Sequence, residues 1–571
     1  MAPMNVLGIH DGHDAGVCLI VDGRLVAFSS EERRTNRKNF MGIPTLSIAA
    51  VLKKAGMRPD DINLVAVSGT IRTARLGLEA DHTRSAIHML SFLGQSKLGT
   101  LIGRKLLSKM RRNDSLIAGL AEVGLVDRPM RFYDHHLCHA ATAFYNRPWI
   151  DSKDGRTAAD ALVLTLDGSG DGLCATVSVG RGNSLELLST TPKYHSIPAF
   201  MYSGTTAWLG MKAYEHEYKL MGMAPYGRFD RTLGIYQKLF RNHDLSFTNC
   251  SGASLHRIGD LYSKLFKNMR FDEVAAGCQK HFEDLMISWV NKSVAATGVT
   301  KVVAAGGAFL NVKANKLIRE SASVEEMFVF PVADDGGMPL GAAILGYKDL
   351  CAEKQAAFAF APLTSMHIGQ EHTSKEIEAA LKQAGAKYRP MQNEASDLAP
   401  LIAQGKIVAR FQEQEEAGPR SLGNRSILAD PRDLRVIRKL NFAIKQRDFW
   451  MPFAGSVLEE YGSKYIRDLT KRAWFMIEAF DTTEEGAQCL PAALHPFDQT
   501  IRPQIVSKST HRTYHALISE FARITGVGGL LNTSFNLHGS PIVGSPETAV
   551  KTFMSSSLDA LSIGSFMAFK D

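Results

Sequence analysis

The feature that most constrains the fold of this chain is a repeat. Residues 4–33 read "MNVLGIHDGHDAGVCLIVDGRLVAFSSEER": an apolar strand, a loop of Gly, Asp and His, a second apolar strand, a "DG" turn and a third strand. The layout returns at residues 161–191, "ALVLTLDGSGDGLCATVSVGRGNSLELLSTT", with "DGSGDG" as the loop. Two copies of strand–loop–strand–turn–strand predict a duplicated domain built on two hairpins. Two more glycine loops follow. "KVVAAGGAFLNVKANKLIRE" sets Gly306 and Gly307 between a strand and a helix, and "MFVFPVADDGGMPLGAAILGYKDL" again runs strand, Asp/Gly loop, helix. Glycine lets backbone N–H groups approach a phosphate closely, and a helix start favours an anion.

Turn-making alone would explain any single loop. Four in this order look like the actin, sugar-kinase and heat-shock ATPase fold, in which a nucleotide lies between two halves. The chain has 571 residues, too many for one ordinary core. It is 45% hydrophobic and 22% charged, a globular composition. No apolar run approaches the roughly 18–20 residues of a membrane span. The start carries no basic-then-apolar signal, so a cytoplasmic location is expected. Seven scattered cysteines without a CxxC pair indicate reduced thiols. The net charge of +8 is read as a solvated face plus phosphate pockets rather than a nucleic-acid surface.

"YDHHLCHAATAFY" places His135 and His139 four apart, on one face of a helix. Two imidazoles so placed can share an ion, but a metalloprotease would need a glutamate between them, and His136, Leu137 and Cys138 stand there instead. Asp167 and Asp335, at the ends of two predicted strands, could complete a set suited to Fe(II), Mn(II) or Zn(II). From spacing alone, histidines that merely hydrogen-bond near a helix start are the favoured reading.

After residue 350 an Ala-rich stretch marks an inter-domain connection. Beyond it Arg410, Arg420, Arg425, Lys445 and Arg447 fall in Gly-broken loops, and Arg502 lies on a later strand. Arginine forks grip phosphate bidentately, so a pocket for a small polyanion is expected.

The motifs "GIHDGHDAG", "EERRTNRKN", "DHHLCHAATAFY", "DGSGDG", "YEHEYKLMGMAPYG", "GGAFLN", "ADDGGMPLGAA", "GPRSLGNRSILADPR", "LNFAIKQRD", "PFAGSVL" and "LLNTSFNLHGSPIV" resemble those of the NodU/CmcH-type O-carbamoyltransferases, nearly end to end. The resemblance implies an α/β protein: a duplicated actin/sugar-kinase-like (ASKHA), TsaD-type domain over residues 1–355 and a YrdC-like twisted-sheet domain over 370–571. It implies that the second domain forms carbamoyl-adenylate from carbamoyl phosphate and ATP with Mg(II). The first then passes the carbamoyl group to a hydroxyl of a small-molecule acceptor, and AMP leaves. A natural-product alcohol is the expected acceptor, with no membrane or nucleic-acid partner, and a homodimer is allowed. Competing readings are a tRNA threonylcarbamoylation-type enzyme and a non-catalytic ATP-binding switch.

Residue by residue, the resemblance makes His135, His139, Asp167 and Asp335 the metal ligands, with Fe(II) or another divalent ion. His13 becomes the base for the acceptor hydroxyl, with Lys38 near the acceptor cleft. Gly168, Gly306, Gly307 and Asn311 would hold the nucleotide. Arg420, Arg425, Lys445, Arg447, Arg502, Asn532 and Ser534 would bind carbamoyl phosphate and the ATP phosphates. Met451 stands where the family often has an arginine, and the basic stretch Arg72–Arg112 matches no motif, leaving it a loose candidate for acceptor recognition.

Overall fold

The computed structural model describes residues 3–70, 114–149, 160–445, 447–469 and 472–570. The stretch Arg72–Arg112 lies outside them. The chain forms two compact units, one of residues 1–26 and 41–362, the other of residues 27–40 and 363–571. The second unit therefore takes a piece from the N-terminal end, which the contiguous bounds 1–355 and 370–571 do not anticipate.

The first unit holds two five-stranded sheets. In one, β1 (Asn5–His10), β2 (Gly16–Val21), β3 (Arg24–Ser30), β4 (Leu64–Ser68) and β5 (Met130–Tyr133) lie in the order β3-β2-β1-β4-β5. In the other, β6 (Ala161–Gly170), β7 (Leu173–Arg181), β8 (Ser184–Pro192), β9 (Lys301–Ala305) and β10 (Glu326–Val329) lie in the order β10-β9-β6-β7-β8. In both, the first strand pairs antiparallel with the second and parallel with the fourth. This is the duplication expected of an ASKHA-type α/β domain. The central strands are buried over most of their length, as strands covered on both faces must be.

Helix α1 (Glu31–Thr35) follows β3 and lies in the second unit. Helix α2 (His135–Tyr145) follows β5, and α3 (Phe271–Thr297), α4 (Val312–Arg319) and α5 (Met338–Glu353) complete the part that frames the site. Helix α5 is apolar almost all round and packs against α2 and β1. The approach requires glycine: a Cβ on Gly341 would fall 2.1 Å from the Cys138 carbonyl oxygen, and one on Gly8 would fall 2.0 Å from that of Pro339.

The second unit is one eight-stranded mixed sheet. Its strands are β11 (Lys387–Pro390), β12 (Val408–Phe411), β13 (Arg425–Ala429), β14 (Ala454–Leu458), β15 (Pro503–Val506), β16 (Gly529–Ser534), β17 (Ala560–Ile563) and β18 (Phe566–Phe569), in the order β11-β18-β17-β12-β13-β16-β14-β15. Helix α6 (Arg512–Thr525) buries Tyr514, Leu517, Ile518 and Phe521, a spacing that keeps one apolar stripe against the sheet. Among the described residues, no helix is long and apolar enough to cross a membrane.

Candidate metal and anion sites

Asp134 caps α2 by accepting the Leu137 N–H at 2.9 Å, and the Asp171 carboxylate accepts the His135 N–H at 2.8 Å. The helix start is thus fixed from two sides. His135 and His139 then share one face, and Asp167 and Asp335 meet them there. One ligand atom from each of the four lies within 4.8 Å of every other. His135 Nε2 is 3.4 Å from Asp167 Oδ2 and 3.6 Å from Asp335 Oδ1, and His139 Nε2 is 3.3 Å from Asp335 Oδ1. Asp167 is aimed by its other oxygen, which accepts the Gly307 N–H at 3.0 Å. Gly170 makes room: a Cβ there would fall 2.0 Å from His135 Cγ.

Three of these atoms, His135 Nε2, His139 Nε2 and Asp335 Oδ1, are buried without a hydrogen-bond partner. Leaving such atoms unpaired is costly. Their convergence, with the nitrogen and oxygen donor set, fits a divalent cation. The electrostatics agree. Burial opposes charge on His135, but Asp335 and Asp167 outweigh it and hold the imidazole up at about 9. Burial would likewise raise Asp167, yet the neighbouring His135 and His139 imidazoles hold the carboxyl below its ordinary range. Two carboxylates kept ionised thus draw in positive charge, which a metal can supply in place of a proton.

His136 turns away: its Nδ1 meets the Thr165 hydroxyl at 2.8 Å, within the core. His10 was not singled out by sequence reasoning, yet its Nε2 lies 3.8 Å from Asp335 Oδ2. Its ring is tied to Ser68 Oγ at 2.7 Å and to the His13 carbonyl oxygen at 3.0 Å, and burial holds its pKa below the ordinary value. His13 is half-open, with Nδ1 2.7 Å from Asp14 Oδ2. A carboxylate on one ring nitrogen orients the other toward a substrate. That bond to Asp14 raises the His13 pKa to about 9.

Around the glycine loops the nucleotide assignments divide. Gly306 has φ +105°, and a Cβ there would fall 2.2 Å from the Leu166 carbonyl oxygen, so only glycine fits. Gly168 has only Tyr214, at 3.8 Å, near its own Cβ direction, which leaves its surface open. Asn311 departs from expectation. Its Oδ1 caps α4 through the Ala314 N–H at 3.1 Å, and its Nδ2 donates to the Gln279 Oε1 at 3.0 Å and the Tyr202 hydroxyl at 3.3 Å. Its amide is committed to the fold, not to a nucleotide.

In the second unit, Arg502 is half-buried near other positive charges. Burial first, then the nearby Arg420 and Arg447 guanidinium groups, pull its pKa well below the ordinary arginine range. Among the described residues no carboxylate pairs with Arg502, and its Nε is buried without a hydrogen-bond partner. Arg447 stacks on Phe453 at 4.2 Å and donates from Nε to Asn441 Oδ1 at 3.2 Å, which fixes its plane. Guanidinium groups gathered around Arg502 are of the kind that grips an anion.

Four expected phosphate binders do other work. The Arg425 guanidinium donates to the carbonyls of Gln412, Asn424, Gln370 and Glu413 and stacks over Phe411 at 3.8 Å. Lys445 donates to the Ser534 carbonyl, to Asn536 O at 3.0 Å and to Asn536 Oδ1 at 2.6 Å, filling all three of its donor positions. Ser534 Oγ is turned onto Asn536 Oδ1 at 2.8 Å. The Asn532 amide is spent on Ser456 Oγ at 3.0 Å, the Ser421 carbonyl at 3.3 Å and Gln504 Oε1 at 3.3 Å. All four are bonded within the second unit's own fold. Lys38 is also displaced from expectation: it belongs to the second unit, exposed and close enough to Lys445 to depress its pKa, after burial and Arg447. Met451 is buried.

Residues 5–344 match the family profile described as the carbamoyltransferase N-terminus, and residues 399–570 match the carbamoyltransferase C-terminus. The nodulation protein NolNO of Sinorhizobium fredii is 31% identical, over 98% of this chain and 79% of that one. Nodulation protein NolO of Bradyrhizobium diazoefficiens is 33% identical over 76% of this chain and 79% of its own length. An uncharacterized Synechocystis protein is 29% identical, over 98% of this chain and 95% of that one. Among solved structures, that of full-length HypF in its phosphate- and nucleotide-bound form covers 61% of this chain and 56% of its own at TM-score 0.36 and 13% identity, too distant to carry more. The chain belongs to the carbamoyltransferase family and is a carbamoyltransferase.

Proposed function

We propose that this carbamoyltransferase is ATP-dependent and O-specific, acting through carbamoyl-adenylate. The observation that carries the reading is Arg502, which has no carboxylate partner among the described residues and lies near the Arg420 and Arg447 guanidinium groups. Such a cluster suits carbamoyl phosphate and the ATP polyphosphate, whose charge it neutralises. Water hydrolyses carbamoyl phosphate to carbamate and phosphate, a carbamate oxygen then bonds to the ATP α-phosphorus, and pyrophosphate leaves with the P–O bond electrons and its charge on the arginines. The carbamoyl group then passes to an acceptor hydroxyl. His13, aimed by Asp14, takes the hydroxyl proton, the alcohol oxygen bonds to the carbamoyl carbon, and AMP departs with the C–O bond electrons. The Gly306–Gly307 turn supplies backbone against the nucleotide. His135, His139, Asp167 and Asp335 would hold Fe(II) or another divalent ion, which when bound offsets the negative charge of the adenylate.

Purified protein given carbamoyl phosphate and ATP is expected to release pyrophosphate. AMP and a product heavier by one carbamoyl group, read by mass spectrometry, should appear only when a small-molecule alcohol is added. If neither pyrophosphate nor AMP forms in the presence of Fe(II), the reading is wrong. Replacing both His135 and His139 with Ala should remove the bound iron measured by elemental analysis. Unchanged iron would sink the metal assignment.

A further inference from the structure

The turn between β6 and β7 is only Asp171–Gly172, since Gly170 pairs with Leu173 across it. Asp171 has φ +48° and Gly172 φ +87°, a pair of left-handed residues that an Asp-Gly sequence suits. Turn chemistry therefore explains why a short polar residue stands at 171. It does not explain where the carboxylate goes. The same turn recurs at Asp22–Gly23, with φ +47° and +76°, and there the side chain accepts the Met4 N–H at 2.9 Å, just before β1 of its own sheet. Asp171 instead reaches across to elements of the other sheet. Its Oδ2 accepts the N–H of Thr70, just after β4, and the N–H of His135, at the start of α2, each at 2.8 Å.

The segment that ends in this turn is held at several positions. Asp167 accepts the Gly307 N–H at 3.0 Å, the Gly168 carbonyl accepts the Ser196 hydroxyl at 2.7 Å, and Gly170 lies against the His135 ring. His135 is thus gripped twice by the segment that carries Asp167, at its ring by Gly170 and at its backbone by Asp171. The 3.4 Å between His135 Nε2 and Asp167 Oδ2 is spanned by a closed circuit of contacts. A ligand left loose would have to be ordered when the ion binds, and that ordering would be taken from the affinity. We propose that Asp171 is a positioning residue of the metal site, tying the first turn of α2 to the end of β6 so that His135 and Asp167 meet the ion already in place. The inference rests on reading His135, His139, Asp167 and Asp335 as the ligands of a divalent ion. Asp171 is not one of the converging ligands, and its effect passes through the His135 backbone.

The test uses the full chain and Co(II), a divalent probe whose visible absorption reads its ligand arrangement. Asp171→Gly keeps a residue at ease with positive φ and removes the carboxylate, so the turn stays while both bonds go. Co(II) affinity, measured by calorimetry, is expected to fall about tenfold or more, the usual effect of losing a partner that orients a metal ligand. The visible spectrum should change with it. Asp171→Asn keeps an acceptor oxygen and tolerates the same backbone, so it should recover most of the affinity. Should Asp171→Gly fail to fold, Asp171→Ser, whose hydroxyl ends one bond short of the carboxylate oxygens, carries the same expectation. A merely structural role would lower the fraction of chains that take up Co(II) while those that do keep the parent affinity and spectrum. That outcome overturns the proposal. So does an affinity within about twofold of the parent in the glycine or serine variant, when replacing both His135 and His139 with Ala abolishes binding. If that double replacement itself binds Co(II) like the parent, the metal assignment fails, and the positioning role falls with it.

Discussion

At the residue scale, the two sites show what a charge costs when it is kept for a ligand. Arg425, buried, and Arg502, half-buried, both belong to the second unit, yet they should respond oppositely to the same change. Arg425 satisfies four backbone carbonyls, so Arg425→Met leaves those acceptors bare and should cost about 3 kcal/mol in denaturant unfolding. Arg502 meets only like charge from its neighbours, so Arg502→Met should leave stability unchanged or raise it by about 1 kcal/mol, while pyrophosphate binding is lost. His13 sets the pH behaviour. Its hydrogen bond to Asp14 raises its pKa to about 9, so near neutrality it is protonated and must shed that proton before acting as a base. Carbamoyl transfer should therefore speed up as pH rises toward 9, and Asp14→Asn should move that rise toward the ordinary histidine value of about 6.5. For folding the sign is reversed. A raised histidine pKa stabilises fully below about 6.5, and the contribution fades as pH climbs through 9.

At the scale of elements, the metal site is a product of backbone approach. Helix α2 brings two histidines to one face, and the end of β6 comes close enough to place Asp167 because Gly170 has no side chain. Gly170→Ala should push the His135 ring aside and lower iron content several-fold while circular dichroism stays near that of the parent. Much of this was legible in the chain. Strand alternation, glycine loops and the spacing of His135 and His139 are local, and they pointed to the elements and to the residues now found together. What was not legible is whether a polar side chain still has a donor to offer. Asn311, Arg425, Lys445 and Asn532 sit in the right loops and carry the right groups, but their bonds go to partners far along the chain. His10 escaped notice because its proximity to Asp335 arises only when two separate loops meet. The bonds of Asp171 escaped for the same reason, since Thr70 and His135 lie 101 and 36 residues before it.

For the whole molecule, two units with separate ligand chemistries should report separately. Calorimetry is expected to resolve two unfolding transitions, with pyrophosphate raising one and a divalent cation the other. At a hundred times Kd, each ligand should add about 2.7 kcal/mol to its own transition. A single transition moved by both ligands would mean that the units unfold as one. The crossing of residues 27–40 also bears on how the protein is made. Arg34, whose Nη2 donates to the Gly544 carbonyl at 3.1 Å, emerges early from the ribosome, but Gly544 follows only 510 residues later. At translation rates of roughly 5–20 residues per second, the segment waits about 25–100 s for its partner. Through that interval Arg33 and Arg34 are exposed beside an already completed strand. The second unit is therefore the last thing this chain can finish, and its first-made piece is a natural holding point for a chaperone.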